Sequence, residues 1–581
     1  MEVNPRNKAA AVILNVSLLA FIAFVIYILY INQEVLYTAH DRSEFFIGAS
    51  YFHTLVSKPF GLMQYAGAWI TQLFYYPALG ALVLMGLWTL IFLAGTKAFQ
   101  LQGEASALML LPVACLLASV VEVGYRIYIS PFAGYWFSQS LGYLVMLLCL
   151  WAARCTPRRW HLVWYLLAFC AYPVLGWFAM LFVLCLALLG KPTWRELLGI
   201  ILLIFAAHIW RVLLYSGLNA EDVMLAGWPR FATAHDSGTH LSIPFQVLAA
   251  VSVLIPLCSR YLSRWFVPMI CAAAGIIFTM SLMFQDRNYI DEMRMVRYAA
   301  DDDWERVLHV AADTPKPTVT MVMLRNIAMM NEGGLLERSF KLGNNGGEVN
   351  TPDSLHVRLL NIASPLVYYN YGMMNEAIRL AYENAIRTGF SPFYLKMLSR
   401  CAHASGDVKL EERYNTLLHH HLFYGDWQPA PVSETVQELQ HSFPDELTGT
   451  ENSDSYIVNS ISLWYESDSK VASEQALFYA MMRRDSRRFW QSLRKYVRLH
   501  PDGKFPLHAQ EAYIMFMDKS PEEKRLMLPV EQAVYERYKQ FWETLERQAR
   551  SNQQLDKIGE TMREDWGGTY WWYNIFGRKI Y

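Results

Sequence analysis

Charge is scarce in the first half of this 581-residue chain, and reactive motifs are scarce throughout it. Residues 1–285 hold 15 Lys and Arg and 10 Asp and Glu, against 35 and 41 in residues 286–581. A charge in hydrocarbon costs at least a few kcal/mol, so the first half suits a bilayer and the second suits water. The second half is mildly acidic and has no basic face, which leaves no footprint for nucleic acid. Cysteine is also sparse. Seven of the eight (Cys115, Cys149, Cys155, Cys170, Cys185, Cys258 and Cys271) fall in the first half, and Cys401 is alone in the second. No intramolecular disulfide can therefore staple the second half, no CxxC occurs, and the cysteines read as small buried apolar residues. The absence of GxxxxGK[ST], HExxH, GxSxG and GxGxxG withdraws support from ATP-driven transport and from common hydrolase chemistry.

What the first half does contain is apolar length. Nine stretches stand out, at about 9–31, 76–95, 105–122, 136–153, 161–172, 174–190, 197–215, 242–258 and 265–284. Most approach the roughly 20 residues that cross the hydrocarbon. Residues 161–190 form one run broken by Pro173 and Gly176. It is either one long tilted helix or a hairpin of two short ones. Charge placement favours the hairpin. With it, Arg6, Lys8, Lys97, Arg154, Arg158, Arg159, Lys191, Arg195, Arg260 and Arg264 fall on one side, the positive-inside pattern. The expectation is a cytoplasmic N-terminus, nine segments and a C-terminal domain outside. The first apolar run is too long for a cleavable signal, and no small-residue site follows it.

The first outer loop concentrates chemistry: Glu34, then His40-Asp41-Arg42-Ser43-Glu44, then an amphipathic segment from Gly61 to Phe74 that suits the headgroup zone. Asp41 and Glu44, three apart, share a face if helical. Such a pair can divide labour between a base and a cation holder, so a divalent cation is the one cofactor it would call for. The plainer reading pairs Asp41 with Arg42 or Arg126 and leaves Glu44 solvated. Glu122, Arg126 and Arg211, with His40 and Arg42, are candidates for binding a substrate headgroup at the same mouth. Arg211 reads equally as a side chain that snorkels to the interface. No metal ligands are expected elsewhere. His419-His420-His421 splay around a helix, and Asp301-Asp302-Asp303 reads as a helix cap.

The second half reads as all-helical and repetitive. Met323–Ala328 leading to Gly334 is echoed by Met397–Ala402 leading to Gly406, and each follows an amphipathic helix near Trp304–Leu308 or Asn375–Ala381. A third helical pair is expected over Glu474–Val497 and Pro506–Met517. The pattern is similar to tetratricopeptide repeats, which stack into a concave binding surface. The expected fold class is all-α: a polytopic transmembrane bundle over 1–285, helical repeats over 286–428, and further repeats over 429–581. An aromatic tail, Tyr570-Trp571-Trp572-Tyr573, closes the last part and is expected to pack rather than to bind a ligand.

The membrane half resembles GT-C superfamily glycosyltransferases in its many spans, acidic first outer loop and interfacial helix. That resemblance implies an enzyme using a polyprenyl-phosphate sugar, with Asp41 as the positional match for the catalytic carboxylate. The whole chain resembles an uncharacterised family of bacterial inner-membrane proteins, on the first outer loop, on Gly61–Phe74 with Tyr75-Tyr76-Pro77, and on the aromatic tail. It implies the cytoplasmic membrane as location and an extracytoplasmic C-terminal domain. Two functions stay open: a membrane glycosyltransferase, and a non-catalytic anchored scaffold whose repeat domain holds a partner protein. A membrane lipid is a partner in either.

Overall fold

The computed structural model describes residues 5–189, 194–232, 239–258, 264–284, 286–314, 316–342, 362–442, 467–501, 504–519, 527–550 and 554–577. Lys191 and Arg260 lie outside the described residues. The architecture is all-α. Its only described sheet is a two-stranded ribbon, β1 Arg230–Ala232 against β2 Thr239–Leu241.

The first half builds from α1 Pro5–Ile31, α2 Gln33–Asp41, α3 Ala49–Val56, α4 Gly61–Thr71 and α5 Pro77–Phe99. It continues with α6 Leu110–Val121, α7 Tyr135–Cys155, α8 His161–Leu175, α9 Trp177–Leu189 and α10 Trp194–Leu213. The short α11 Ala220–Met224 follows, then α12 Ile243–Cys258 and α13 Val267–Leu282. Among the described residues, five stretches are long and apolar enough to cross a membrane: Ala9–Ile31, Pro77–Phe99, Gly103–Val121, Tyr135–Cys155 and Glu196–Leu213. This is a membrane protein. The run at 161–190 breaks at Gly176, where φ is +54° and an added Cβ would stand 2.1 Å from the Ala226 carbonyl oxygen. Only glycine tolerates that backbone and that approach. The chain reverses there, so the run is two helices.

Helix α6 forms the centre, with every residue but Leu111 buried. Around it, small residues let helices meet closely, as where Gly275 faces Ala114. The outward faces are apolar instead of polar: Leu19, Leu82 and Ile204 are 66%, 69% and 68% exposed. That inversion is stable only where the surroundings are hydrocarbon.

The second half begins with α14 Arg287–Ala300, α15 Trp304–Ala312 and α16 Val319–Glu332. Further helices run to Tyr570–Phe576. Caps set the starts: Asp286, Asp303, Thr318, Asp407, Ser469 and Asp485 each accept a backbone N–H of the first turn. The expected helix over 474–497 is a hairpin, Lys470–Met482 and Ser486–Leu499, because Arg484 takes φ +58° and Asp485 caps a new helix. The aromatic tail is packed. Trp571 Nε1 donates to the Glu511 carbonyl at 2.9 Å, and Tyr573 OH donates to the Met482 carbonyl at 2.9 Å. Cys115, Cys185, Cys271 and Cys401 are buried, Cys149 and Cys258 half-buried, and Cys155 and Cys170 exposed; all eight are free thiols.

Candidate functional site at the junction of the two halves

The acidic start of the first loop, Glu34–Ser43, does not face solvent. Helix α2 continues from α1 after a one-residue break, and all its residues from Glu34 to Asp41 are buried. They are covered by the second half. Glu34 meets Arg297 Nη1 at 3.4 Å and Arg294 Nε at 3.8 Å, and the Arg297 guanidinium lies 3.8 Å over the Tyr37 ring. Asp41 forms an ion pair with Lys396 Nζ at 2.9 Å. Burial would push its carboxyl up, but Lys396 and then Arg42 outweigh that and hold it below its ordinary value. Lys396, likewise desolvated, is held well above its ordinary value chiefly by Asp41. Both partners are therefore charged.

The neighbours of Asp41 are engaged as well. His40 Nε2 lies 3.3 Å from Tyr424 OH, and burial lowers its pKa to about 4, so the ring is neutral. Arg42 donates to Tyr394 OH at 2.9 Å and to the Ile362 carbonyl at 2.6 Å, and stacks 3.6 Å from the Phe393 ring centre. Glu44 accepts the Phe390 N–H at 3.2 Å, and burial raises its pKa. Gln72 accepts the Leu422 N–H at 2.8 Å, while Tyr75 stacks on Phe423 at 4.9 Å. His421, also at this contact, is 3% exposed, and neither ring nitrogen has a hydrogen-bond partner among the described residues. Burial lowers its pKa to about 3.

The other candidates sit away from this cluster, at the same end of the bundle. Glu122 accepts a bond from Ser242 Oγ, and burial raises its pKa to about 7. Arg126 donates to the Glu122 carbonyl at 3.1 Å and lies 5.1 Å over Phe231. Arg211 donates to the Leu218 carbonyl at 3.3 Å, closing the end of α10. The structure thus brings His40, Asp41, Arg42 and Glu44 together, and leaves Glu122, Arg126 and Arg211 as separate contacts. Sequence reasoning missed Lys396, Tyr394, Phe390 and Tyr424. Lys396 carried one usable signal, a charge inside an otherwise apolar helical stretch, Phe393-Tyr394-Leu395-Lys396-Met397-Leu398. Asp302, in the acidic triplet, pairs with Arg400 Nη2 at 2.8 Å, while Asp303 is the cap. Among the described residues, no group of three or more His, Cys, Asp or Glu stands where it could hold a metal ion.

Fold and junction together define a helical membrane protein with a second helical body docked on one end of its bundle. The chain belongs to the family of unknown function DUF6057, which it matches over residues 8–577. No curated protein matches it, and no solved structure does.

Proposed function

We propose that this protein is a non-catalytic scaffold, anchored in the bacterial cytoplasmic membrane, whose helical-repeat half holds a partner protein outside. In this reading the membrane half crosses nine times. Its end bearing Lys97, Arg154, Arg158, Arg159 and Arg264 faces the cytoplasm, and the repeats are tetratricopeptide-like. One observation carries the reading: the carboxylate best placed by sequence for catalysis, Asp41, is buried in an ion pair with Lys396. A general base must reach its acceptor within hydrogen-bond distance, whereas a paired, covered carboxylate joins two bodies.

The transferase reading requires the same carboxylate, or Glu44 with a divalent cation, to be free during turnover on a polyprenyl-phosphate sugar. One experiment separates the two. Removing one partner of a buried pair costs about 3–5 kcal/mol, while replacing both is often neutral. Asp41→Asn alone should lower thermal stability and complementation of a deletion strain together. Asp41→Asn combined with Lys396→Met should restore both if the pair is structural. A double variant that is stable, inserted and still inactive would instead establish the carboxylate as catalytic and retire the scaffold.

A further inference from the structure

Beside the first loop, a cavity of about 470 Å³ opens between Lys58, Gln64, Ser138, Trp228, Arg230 and Phe231. Its size is that of a small-ligand pocket. Its walls come from the places where apolar helices begin and end: the first turn of α7, the segment after α10, and the buried side of α4. In the nine-span reading proposed above, such helix ends lie near the lipid headgroups. The walls are also built on close backbone contacts. Gly134 holds φ +70°, and a Cβ there would lie 2.1 Å from the Gln64 carbonyl oxygen. At Gly227, φ is +76° and a Cβ would lie 2.6 Å from the Phe60 ring.

The two cations that line this cavity are held differently. Arg230 is neutralised by Asp222 at 2.5 Å and Glu221 at 3.4 Å. Lys58 is exposed and, among the described residues, has no carboxylate in ion-pair range. Glu44 acts on it from beyond that range and also accepts the Phe390 N–H. Lys58 is therefore the lining cation that a bound anion can reach without breaking an ion pair. Two residues that line it carry buried polar atoms with no protein partner, Ser130 Oγ and Trp228 Nε1, and Ser130 is 6% exposed. A few residues along the chain from its lining residues, Leu62, Leu214 and Met224 are exposed apolar side chains. An anionic group in the cavity with an alkyl chain leaving along that surface matches both halves of this chemistry.

We infer that the cavity binds the phosphate headgroup of a membrane phospholipid, with the phosphate on Lys58 and the acyl chains against the outward faces of α4 and α10. The site is independent of whether the protein is a scaffold or an enzyme.

The test uses the full-length protein in non-ionic detergent, with thermal unfolding followed while dioleoylphosphatidylglycerol is titrated. The midpoint should rise saturably. Dioleoylglycerol, which lacks the phosphate, should not raise it, and neither should sn-glycerol 3-phosphate. Lys58→Glu should move the half-saturating lipid concentration upward by about tenfold or more, and Lys58→Arg should leave it near the original. Because Lys58 is exposed, the variant should fold, and the readout is the concentration dependence rather than the starting midpoint. No saturable rise, or an identical titration for Lys58→Glu, would overturn the site. An equal response to sn-glycerol 3-phosphate would overturn its assignment to lipid.

Discussion

Asp41 and Lys396 belong to different halves of the molecule, and each would be unstable where it is without the other. The same logic governs a second buried acid near the junction. Glu292 on α14 is fully buried and accepts a bond from Thr318 Oγ1 at 2.5 Å. Among the described residues it has no basic partner to offset burial, which pushes its pKa from 4.5 to about 7. The folded state thus holds a proton that the unfolded chain releases near its ordinary value. The stability that proton brings is complete below about pH 4.5 and is lost as pH rises through 7. We expect Glu292→Gln to be more stable than the parent above pH 7, by on the order of 2–3 kcal/mol, and the difference to vanish as pH falls below about 4.5. Melting curves of the detergent-solubilised protein across pH 5–8 would check this. A parent whose midpoint does not fall over that range would show that Glu292 ionises without cost.

Among the elements, glycine placement decides how closely α4 and α7 meet. Gly67 and Gly134 bring the two backbones into contact, with a Cβ on Gly67 reaching within 2.4 Å of the Gly134 carbonyl oxygen. Gly86, on the outward side of α5, has nothing within 4 Å of such a Cβ. We expect Gly134→Ala to destabilise by about 1–2 kcal/mol from the left-handed backbone alone, and by more once the clash is added. Gly86→Ala should be neutral or stabilising by up to about 1 kcal/mol, the helix-propensity gain. Comparing their unfolding midpoints in one detergent tests the contact directly, and equal midpoints would exclude it.

At the scale of the whole molecule, the bundle has two unlike ends. Exposed Trp151, Trp160, Trp194 and Trp265 mark one, and exposed Tyr30, Trp69 and Tyr76 mark the other, where the second half docks. Aromatic residues favour the two membrane–water boundaries. The first end also carries Arg154, whose Nη1 donates to the Ala98 carbonyl at 3.0 Å, with Arg158 and Arg159 close by in sequence. Cys155 is exposed at that end. In sealed vesicles, a membrane-impermeant maleimide should label a variant retaining only Cys155 from the face opposite the helical half. Labelling from the same face as that half would reverse the proposed topology.

Much of this was legible along the chain, because its physical cause is local. Apolar length and the shortage of charge marked the membrane half. Pro173 and Gly176 marked the turn between α8 and α9. Acids before apolar runs marked caps such as Asp303. These depend on solvent, backbone geometry or neighbours a few residues away. The acidic cluster at 40–44 was equally visible, but its surroundings were not. Nothing in the sequence near Asp41 tells that Lys396 will cover it, or that Arg42 will lie on Phe393. An isolated reading leaves such charges free, and so makes them candidates for catalysis. Only the tertiary structure decides whether a charge meets water, substrate or an opposite charge, since that depends on which distant surface desolvates it. The cavity beside Lys58 has the same origin: its walls come from segments separated by many helices, and its chemistry exists only where the fold brings them together.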